Sequence, residues 1–241
     1  SWSKSQSESS SAYNEGFLYN DFMWYSLQAG NNPSVSSGYQ HKNKMSLAAR
    51  VNYSYKGKYL FTASVRRDGV SQLYNHWDTF PAAAIAWRIS DEGFMQGAEN
   101  WLDNLKLRVG WGQTGNSNIG GYAWGSSISP MDSALGAGYR PANIANTAVQ
   151  WESQTQWNFG LDLGFFHDRL GLVVDLYQKV SENMLMSMQL PSYMGTQGNG
   201  SSVLSAPKGN FGSIENKGFE ITLDAHPFTG EFQWDSNFQI S

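Results

Sequence analysis

Residues 44–69 read KMSLAARVNYSYKGKYLFTASVRRDG, and their alternation decides the fold. Met45, Leu47, Ala49, Val51, Tyr53 and Tyr55 fall on one face of an extended chain, and Ser46, Ala48, Arg50, Asn52 and Ser54 on the other, because successive strand side chains point to opposite sides. After Lys56, Gly57 and Lys58 the pattern resumes, with Tyr59, Phe61, Ala63 and Val65 opposing Leu60, Thr62, Ser64 and Arg66. Two such runs around a Gly-containing turn predict a tight hairpin with one apolar and one polar face.

The same period extends along the chain. LKLRVGWG (105–112), WNFGLDLG (157–164), GFEITLDAH (218–226) and EFQWDSNFQI (231–240) each alternate. Lys106 and Arg108 share the polar face of the first of these, and burying two cations in the core of a sandwich would be costly. The segment 169–186, RLGLVVDLYQKVSENMLM, reads as one long strand, FPAAAIAWRIS (80–90) as a shorter one, and GFLYNDFMWYSLQ (16–28) as another. The expectation is an all-β, antiparallel chain of about nine strands at hairpin-like spacing.

Composition agrees. Of 241 residues, 40% are hydrophobic and only 15% charged, a balance that excludes a disordered chain. Ten Trp, twelve Tyr and thirteen Phe stand beside 25 Gly, which suits pleated surfaces and tight bends. A net charge of -4 and a pI near 5.5 give no electrostatic footprint for nucleic acid. Cysteine is absent, which removes disulfides, thiolate metal sites and thiol nucleophiles. No stretch approaches the roughly 18 apolar residues of a spanning helix, and mean hydropathy is -0.46. Hydropathy says little about a transmembrane β-barrel, where only alternate residues meet lipid. The Ser-rich opening SWSKSQSESSSAYN carries no signal-peptide pattern, and the chain is expected to be a fragment.

Connection lengths carry the next step. From the N-terminus they are expected to run long (30–43), short (at Gly57), long (68–79), medium (91–104), long (114–149), short (165–168), long (189–211) and short (227–230). Antiparallel strands visit opposite rims in turn, so this alternation puts the long loops on one rim and the tight turns on the other. Outer-membrane barrels have that asymmetry. Tyr53, Tyr55 and Tyr59 flank the Gly57 turn and Phe165 and Phe166 the Asp168 turn, where an interfacial aromatic girdle would lie. Expected strands of roughly 9 to 17 residues match or exceed the 9 to 11 that cross a bilayer at a tilt.

Several ordered blocks carry a resemblance: SVRRDGVSQL (64–73), WDTFPAAAIAWRIS (77–90) with EGFM (92–95), LDNLKLRVGWGQTGN (102–116) with IGGY (119–122), the run from VQWESQTQWNFGLDLGFF to DLYQK (149–179), and GSIENKGFEITL (212–223). Their order and spacing resemble the middle of the barrel in SusC-type, or RagA-type, TonB-linked outer-membrane transporters of Bacteroidetes. The resemblance implies a 22-stranded barrel around an N-terminal plug, of which residues 1–241 would be a partial β-barrel domain, a wall segment open at both edges, without plug or closing strands. It also implies a Gram-negative outer-membrane location in contact with the lipid bilayer. The implied partners are a SusD-like surface lipoprotein over the barrel mouth and the TonB-ExbB-ExbD energising complex, acting through the plug. The implied activity is active uptake of oligosaccharides or peptides.

Other motifs point elsewhere more weakly. Gly110, Gly112 and Gly115 spell G-x-G-x-x-G, but NSNIGGYAWGSS after them reads as loop and not as the helix a dinucleotide site needs, so the glycines are expected to permit a bend at the rim. His41, His76, His167 and His226 are scattered singly, without metal-ligand spacing. Asp162 with Asp175, or Glu220 with Asp224, could be imagined as a glycosidase pair, yet they fall on alternating polar faces that a solvated lumen wall explains. No enzyme activity, cofactor, metal or nucleic-acid partner is expected. In the long loops Trp77, Tyr122, Trp124, Tyr139 and Tyr193 lie among Gly, Asn and Ser. Sugars stack well on such rings, which makes these five the candidates for substrate or partner contact, although loop aromatics also pack loops together. An alternative is a soluble extracellular β-sandwich that binds carbohydrate. In that case residues 105, 107, 109, 111, 157, 159, 161 and 163 would be buried between two sheets.

Overall fold

The computed structural model describes residues 1–19, 23–118, 120–122, 124–133, 135–195, 203–230 and 232–241. Parts of four expected segments therefore lie outside the described residues: 20–22, then Ile119, Ala123 and Ala134 of the 114–149 connection, 196–202, and Glu231.

The architecture is one nine-stranded antiparallel sheet with two small hairpins. The strands are β1 (Trp2–Tyr13), β2 (Ser34–Tyr55), β3 (Tyr59–Val70), β4 (Trp77–Arg88), β5 (Leu102–Asn116), β6 (Ile128–Ser133), β7 (Gly136–Pro141), β8 (Glu152–Phe165), β9 (Leu170–Glu182), β10 (Leu185–Ser187), β11 (Lys208–Asn210), β12 (Ser213–Thr229) and β13 (Gln233–Ile240). The large sheet is a meander in the order β1-β2-β3-β4-β5-β8-β9-β12-β13, and the hairpins β6-β7 and β10-β11 sit in two of its connections. Its long loops, 14–33, 117–151 and 183–212, share one rim with the short connection 71–76. The turns 56–58, 166–169 and 230–232 share the other with the medium connection 89–101. The expected sidedness therefore holds. At 68–79 the expected loop length does not, because β3 and β4 stay paired up to Gly69 and Trp77.

Register aligns the apolar residues into one surface. Val51 faces Ala63, Ala63 faces Ala83, Ala83 faces Trp111, and Trp111 faces Trp157. A second row joins Val109, Phe159, Leu176 and Phe219. None of the eight positions 105 to 163 named above is buried, and Leu107, Trp157 and Phe159 are more than 40% exposed. No second sheet covers them among the described residues, which corrects the sandwich alternative. From Met45 to Tyr55 the apolar face runs about 33 Å along β2 at roughly 3.3 Å per residue. Tilted by about 40°, it stands ~25 Å tall, the height of a barrel's lipid-facing band.

Three expectations need correction. The segment 16–28 is not a strand: its later part is a 3-10 turn, Met23–Ala29. The ninth strand is instead the Ser-rich β1, paired from Trp2↔Met45 to Tyr13↔Ser34. Its register sets it from Met45, at the edge of the apolar band, outward, so beyond Trp2 both faces meet water and no hydrophobic alternation marks it. For the same reason β2 extends upward through residues expected to be loop. Finally, the long strand expected over 169–186 breaks after Glu182. Asn183 takes a left-handed φ of 56°, and residues 185–187 leave the sheet to pair with Lys208–Asn210.

The tight turns are closed by left-handed residues, Lys56 (φ 52°) with Gly57 (φ 71°), and Phe166, His167 and Asp168 (φ 58°, 59° and 58°). The second turn uses three non-glycine residues, each carrying strain of about 1 kcal/mol. Asp103 compensates, its Oδ2 accepting from the backbone N–H of His167 at 2.6 Å and Asp168 at 3.2 Å. An aromatic belt follows this rim. Tyr59 stacks between Tyr55 and Trp87 at 6.3 and 6.2 Å, Trp101 stacks on Phe165 at 6.0 Å, and Phe228 meets Phe232 at 5.7 Å. Glu92, in the connection below, receives Trp87 Nε1–H at 3.1 Å and Lys58 Nζ at 3.4 Å. A bond from the Tyr59 hydroxyl, with these two, holds its carboxyl below the usual carboxylate range.

Two outcomes follow. Val51→Arg, on the apolar face, is expected to cost ~2–4 kcal/mol in a denaturant titration in lipid vesicles, and Asn52→Arg on the opposite face under ~1 kcal/mol; equal costs would mean the faces are wrongly assigned. A carboxylate with a depressed folded pKa stabilises above its unfolded pKa and loses that contribution as pH falls through the folded value. Hydrogen exchange at residues 88–95 should therefore be faster in Glu92→Gln than in the unsubstituted protein at pH 7. The two should converge only as pH falls below the ordinary carboxylate range, through the lowered folded value.

Candidate functional site: the polar wall and its loop rim

The face opposite the apolar band is built from even-numbered residues of β2 to β5 and β8, and from odd-numbered residues of β9. Its middle is a smooth floor. Ala82, Ala84, Gly110 and Gly112 line a cavity of about 370 Å³ with Arg50, Thr62, Ser64, Gln154, Gln156 and Asn158 around it. The glycines here do not bend the rim as expected, since both lie within paired β5. A Cβ on Gly112 would come 3.0 Å from that of Ala82, so glycine keeps the floor low.

Toward the short-turn rim the polar wall carries an ion-pair network. Arg108 gives Asp162 two hydrogen bonds of 2.7 and 2.9 Å and reaches Asp175 at 3.1 Å, while Lys106 lies 3.6 Å from Asp162. This bidentate fork neutralises charges that a barrel lumen leaves partly in water. It also explains why Gly160 bears no side chain, because a Cβ there would meet Arg108 and Asp175 at 2.6 Å. Asp162 and Asp175, considered above as an acid and base pair, are salt-bridged to one guanidinium.

At the long-loop rim sits the only buried hydrophobic cluster of the described residues. Val70, Leu73, Phe80, Val149 and Trp151 form it, with Trp124 and Leu185 packed against it. It exists because β4 and β5 part company. Their pairing ends at Ala82↔Gly112, next to Pro81, which has no N–H to give a ladder. Phe80 fills the opening, edge-on to Trp151 at 5.6 Å. Its ring lies 2.0 Å from where a Cβ on Gly115 would be, so Gly115 is required by packing and not by a nucleotide. Four elements meet there: the 71–76 connection, the entry and exit of 117–151, and the start of 183–212.

The five aromatics singled out in the sequence do not converge. Trp77 belongs to β4, on the apolar face, where its ring covers Gly69 and Arg67 sits over it at 5.6 Å. Trp124 packs edge-on against Tyr74 at 5.4 Å beside the cluster. Tyr122 stacks on His41, and its hydroxyl lies 3.2 Å from both His41 Nδ1 and Ser71 Oγ. Tyr139 on β7 and Tyr193 in a 3-10 turn stand free at 75% and 84% exposure. Sequence reading missed the Phe80–Trp151 cluster. The signal for it was Pro81 beside a glycine-rich stretch of β5.

A sheet with one uncovered apolar face of bilayer height, one polar face with paired charges, and loops gathered at one rim is the wall of a transmembrane β-barrel of a Gram-negative outer membrane. The chain belongs to the TonB-dependent receptor-like β-barrel family, whose model matches residues 4–241. It is 37% identical over 202 residues to the TonB-dependent receptor P39 of Formosa agariphila, covering 81% of this chain and 18% of that protein. With the TonB-dependent receptor SusC of Bacteroides thetaiotaomicron it shares 35% identity over 218 residues, 85% of this chain and 21% of the relative. The structure of the RagAB peptide transporter superposes with a TM-score of 0.77 at 25% identity, over 98% of this chain and 27% of that one. The chain thus spans about a fifth of the length of these curated relatives. The family is one of transporters and receptors, not of enzymes.

The rim cluster generates a prediction. Gly115→Val is expected to cost ~1–3 kcal/mol by overpacking against Phe80, and Phe80→Ala in the same chain should recover part of that loss. A double-mutant cycle measured by thermal unfolding reads the coupling; additive effects would show that the two residues do not share the space.

Proposed function

We propose that this wall forms the middle of a 22-stranded plugged barrel that imports oligosaccharides or peptides, driven by the TonB-ExbB-ExbD complex through the plug. Residues 1–241 serve as a partial barrel domain, and the plug and closing strands come from other parts of the polypeptide. A SusD-like lipoprotein covers the mouth on the long-loop side. The observation that carries this reading is the superposition of 98% of this chain on a structure described as a peptide transporter. The kinship with SusC supports it. Of the five aromatics, Tyr139 and Tyr193 suit contact with substrate or lipoprotein best, because their rings are free. Tyr122, Trp124 and Trp77 act by holding the mouth in shape.

Uptake by cells carrying the complete transporter tests this. Import of the substrate should stop when TonB is deleted, and Tyr139→Ala with Tyr193→Ala should weaken capture about tenfold while leaving barrel assembly intact. Import that persists without TonB, or a mouth that never co-purifies with a surface lipoprotein, would be the contrary result.

A further inference from the structure

The charge on the polar wall is balanced near the short turns and unbalanced near the mouth. There β2 and β3 contribute Lys42, Lys44 and the ion pair Arg66–Asp68 to one cavity of about 220 Å³, whose remaining polar lining is Ser46, Asn116, Ser117 and Asn118. Lys42 and Lys44 are two residues apart on the same face, close enough for each charge to act on the other. Neither forms an ion pair among the described residues. Their register partners on β1 are Ser5 and Ser3. The acids nearest by register are engaged: Asp68 with Arg66 at 2.8 Å, and Asp78 with the N–H of Thr79 at 2.8 Å. The contrast with Lys106 and Arg108, which share Asp162, is plain.

The loop that continues from Asn116, Ser117 and Asn118 is anchored on the same two strands. The chain leaving β5 crosses to β2 and β3, where Gln72 Nε2 donates to the Gly120 carbonyl at 3.3 Å and Tyr122 bonds His41 and Ser71. Gly121 lies so close to Gln40 that a Cβ would meet its Nε2 at 2.7 Å. Gln72 is itself buried, with its Oε1 unpartnered. Ser46, Asn116, Ser117 and Asn118 thus accompany two adjacent ammonium groups at the mouth end of the polar wall.

We propose that this cavity is an anion subsite, in which Lys42 and Lys44 bind a carboxylate or sulfate carried on the transported chain. The proposal rests on the transport reading above and narrows its substrate to an acidic oligomer. At about 220 Å³ the cavity is smaller than the roughly 300–1,000 Å³ of pockets that enclose whole small molecules. It takes one charged unit and leaves the rest of the oligomer in the lumen. Ammonium groups act as point charges without the fork geometry of Arg, so uronate, sulfate ester and acidic side chain all fit, and experiment separates them.

Binding is measured on the complete, detergent-solubilised transporter with hexagalacturonate, its methyl ester, a sulfated hexasaccharide and hexaglutamate. At least one charged probe is expected to bind, at least tenfold more weakly to Lys42→Ala/Lys44→Ala than to the unsubstituted protein. Lys42→Arg/Lys44→Arg should restore most of that affinity, and the methyl ester should not distinguish the proteins. Which charged probe binds identifies sugar acid, sulfate ester or peptide acid as the source. Equal affinity in both proteins, no binding by any charged probe, or binding of inorganic sulfate alone overturns the proposal. So does a fall in melting temperature of the double variant without added anion, because an acid elsewhere in the polypeptide would then already neutralise the pair. The two readings fail separately. TonB-independent uptake of a probe whose binding needs the lysines removes the transport reading alone. TonB-dependent uptake unaffected by the double substitution removes the anion subsite alone.

Discussion

A peptide group in hydrocarbon has no water to bond, and the structure follows from that constraint. Between the rims the strands β3, β4, β5, β8 and β9 are each flanked by two partners, and their ladders run without a break across the apolar band. The irregularities stand outside it. Register shifts occur between Leu102 and Asn104 and between Ala225 and Phe228, both at the short-turn rim, and Pro227 lies inside the second. Pro81 stands where β4 and β5 separate at the other rim. Residues that cannot donate to a ladder are thus kept where water or a folded loop can satisfy the groups they orphan.

The same constraint sets how much was legible. Where one face meets lipid and the other water, the period of two is enforced, and β3, β5, β8 and β12 were placed from alternation alone. Sidedness was legible too, because a meander forces loop length to alternate between rims. Beyond the bilayer the enforcement stops. In β1 and the upper half of β2 both faces are wetted, so Ser, Gln and Lys serve equally well on either, and a strand of twelve residues reads as a polar tail. Trp77 was misplaced for a related reason: a Trp at the edge of the band looks the same in sequence whether it covers Gly69 in a strand or projects from a loop.

Loops of this length would ordinarily be loosely held, since a connection costs entropy and buries little. Here they share a core. The Phe80–Trp151 pair lies at the point where two wall strands diverge, and Leu73, Val149 and Leu185 bring three separate connections to it. The opening in the wall and the order of the mouth are therefore one feature. If the strands had stayed paired above Ala82, Phe80 would have pointed into the lumen. The price is visible in the indole N–H groups of Trp124 and Trp151, which find no partner among the described residues. An orphaned donor costs about 1–3 kcal/mol, a sum that the apolar burial of the five core side chains exceeds.

Charge placement completes the division of the wall. Lys106, Arg108, Asp162 and Asp175 lie on three neighbouring strands, β5, β8 and β9, and their mutual neutralisation makes the deeper part of the polar face self-sufficient. Near the mouth the cations come from β2 and β3: Lys42 and Lys44 face Ser5 and Ser3 of β1, Lys44 also faces Val70 of β3, and Arg66 faces Phe80 of β4 and pairs with Asp68. A structural role does not account for that difference, because an unpaired ammonium adds repulsion and no packing. A wall whose depth is neutral and whose entrance is basic attracts an anion from outside without trapping it further in. Net charge of the whole segment, at -4, hides this gradient. The sum over both faces and all the loops carries no information about a field that acts across one end of a lumen.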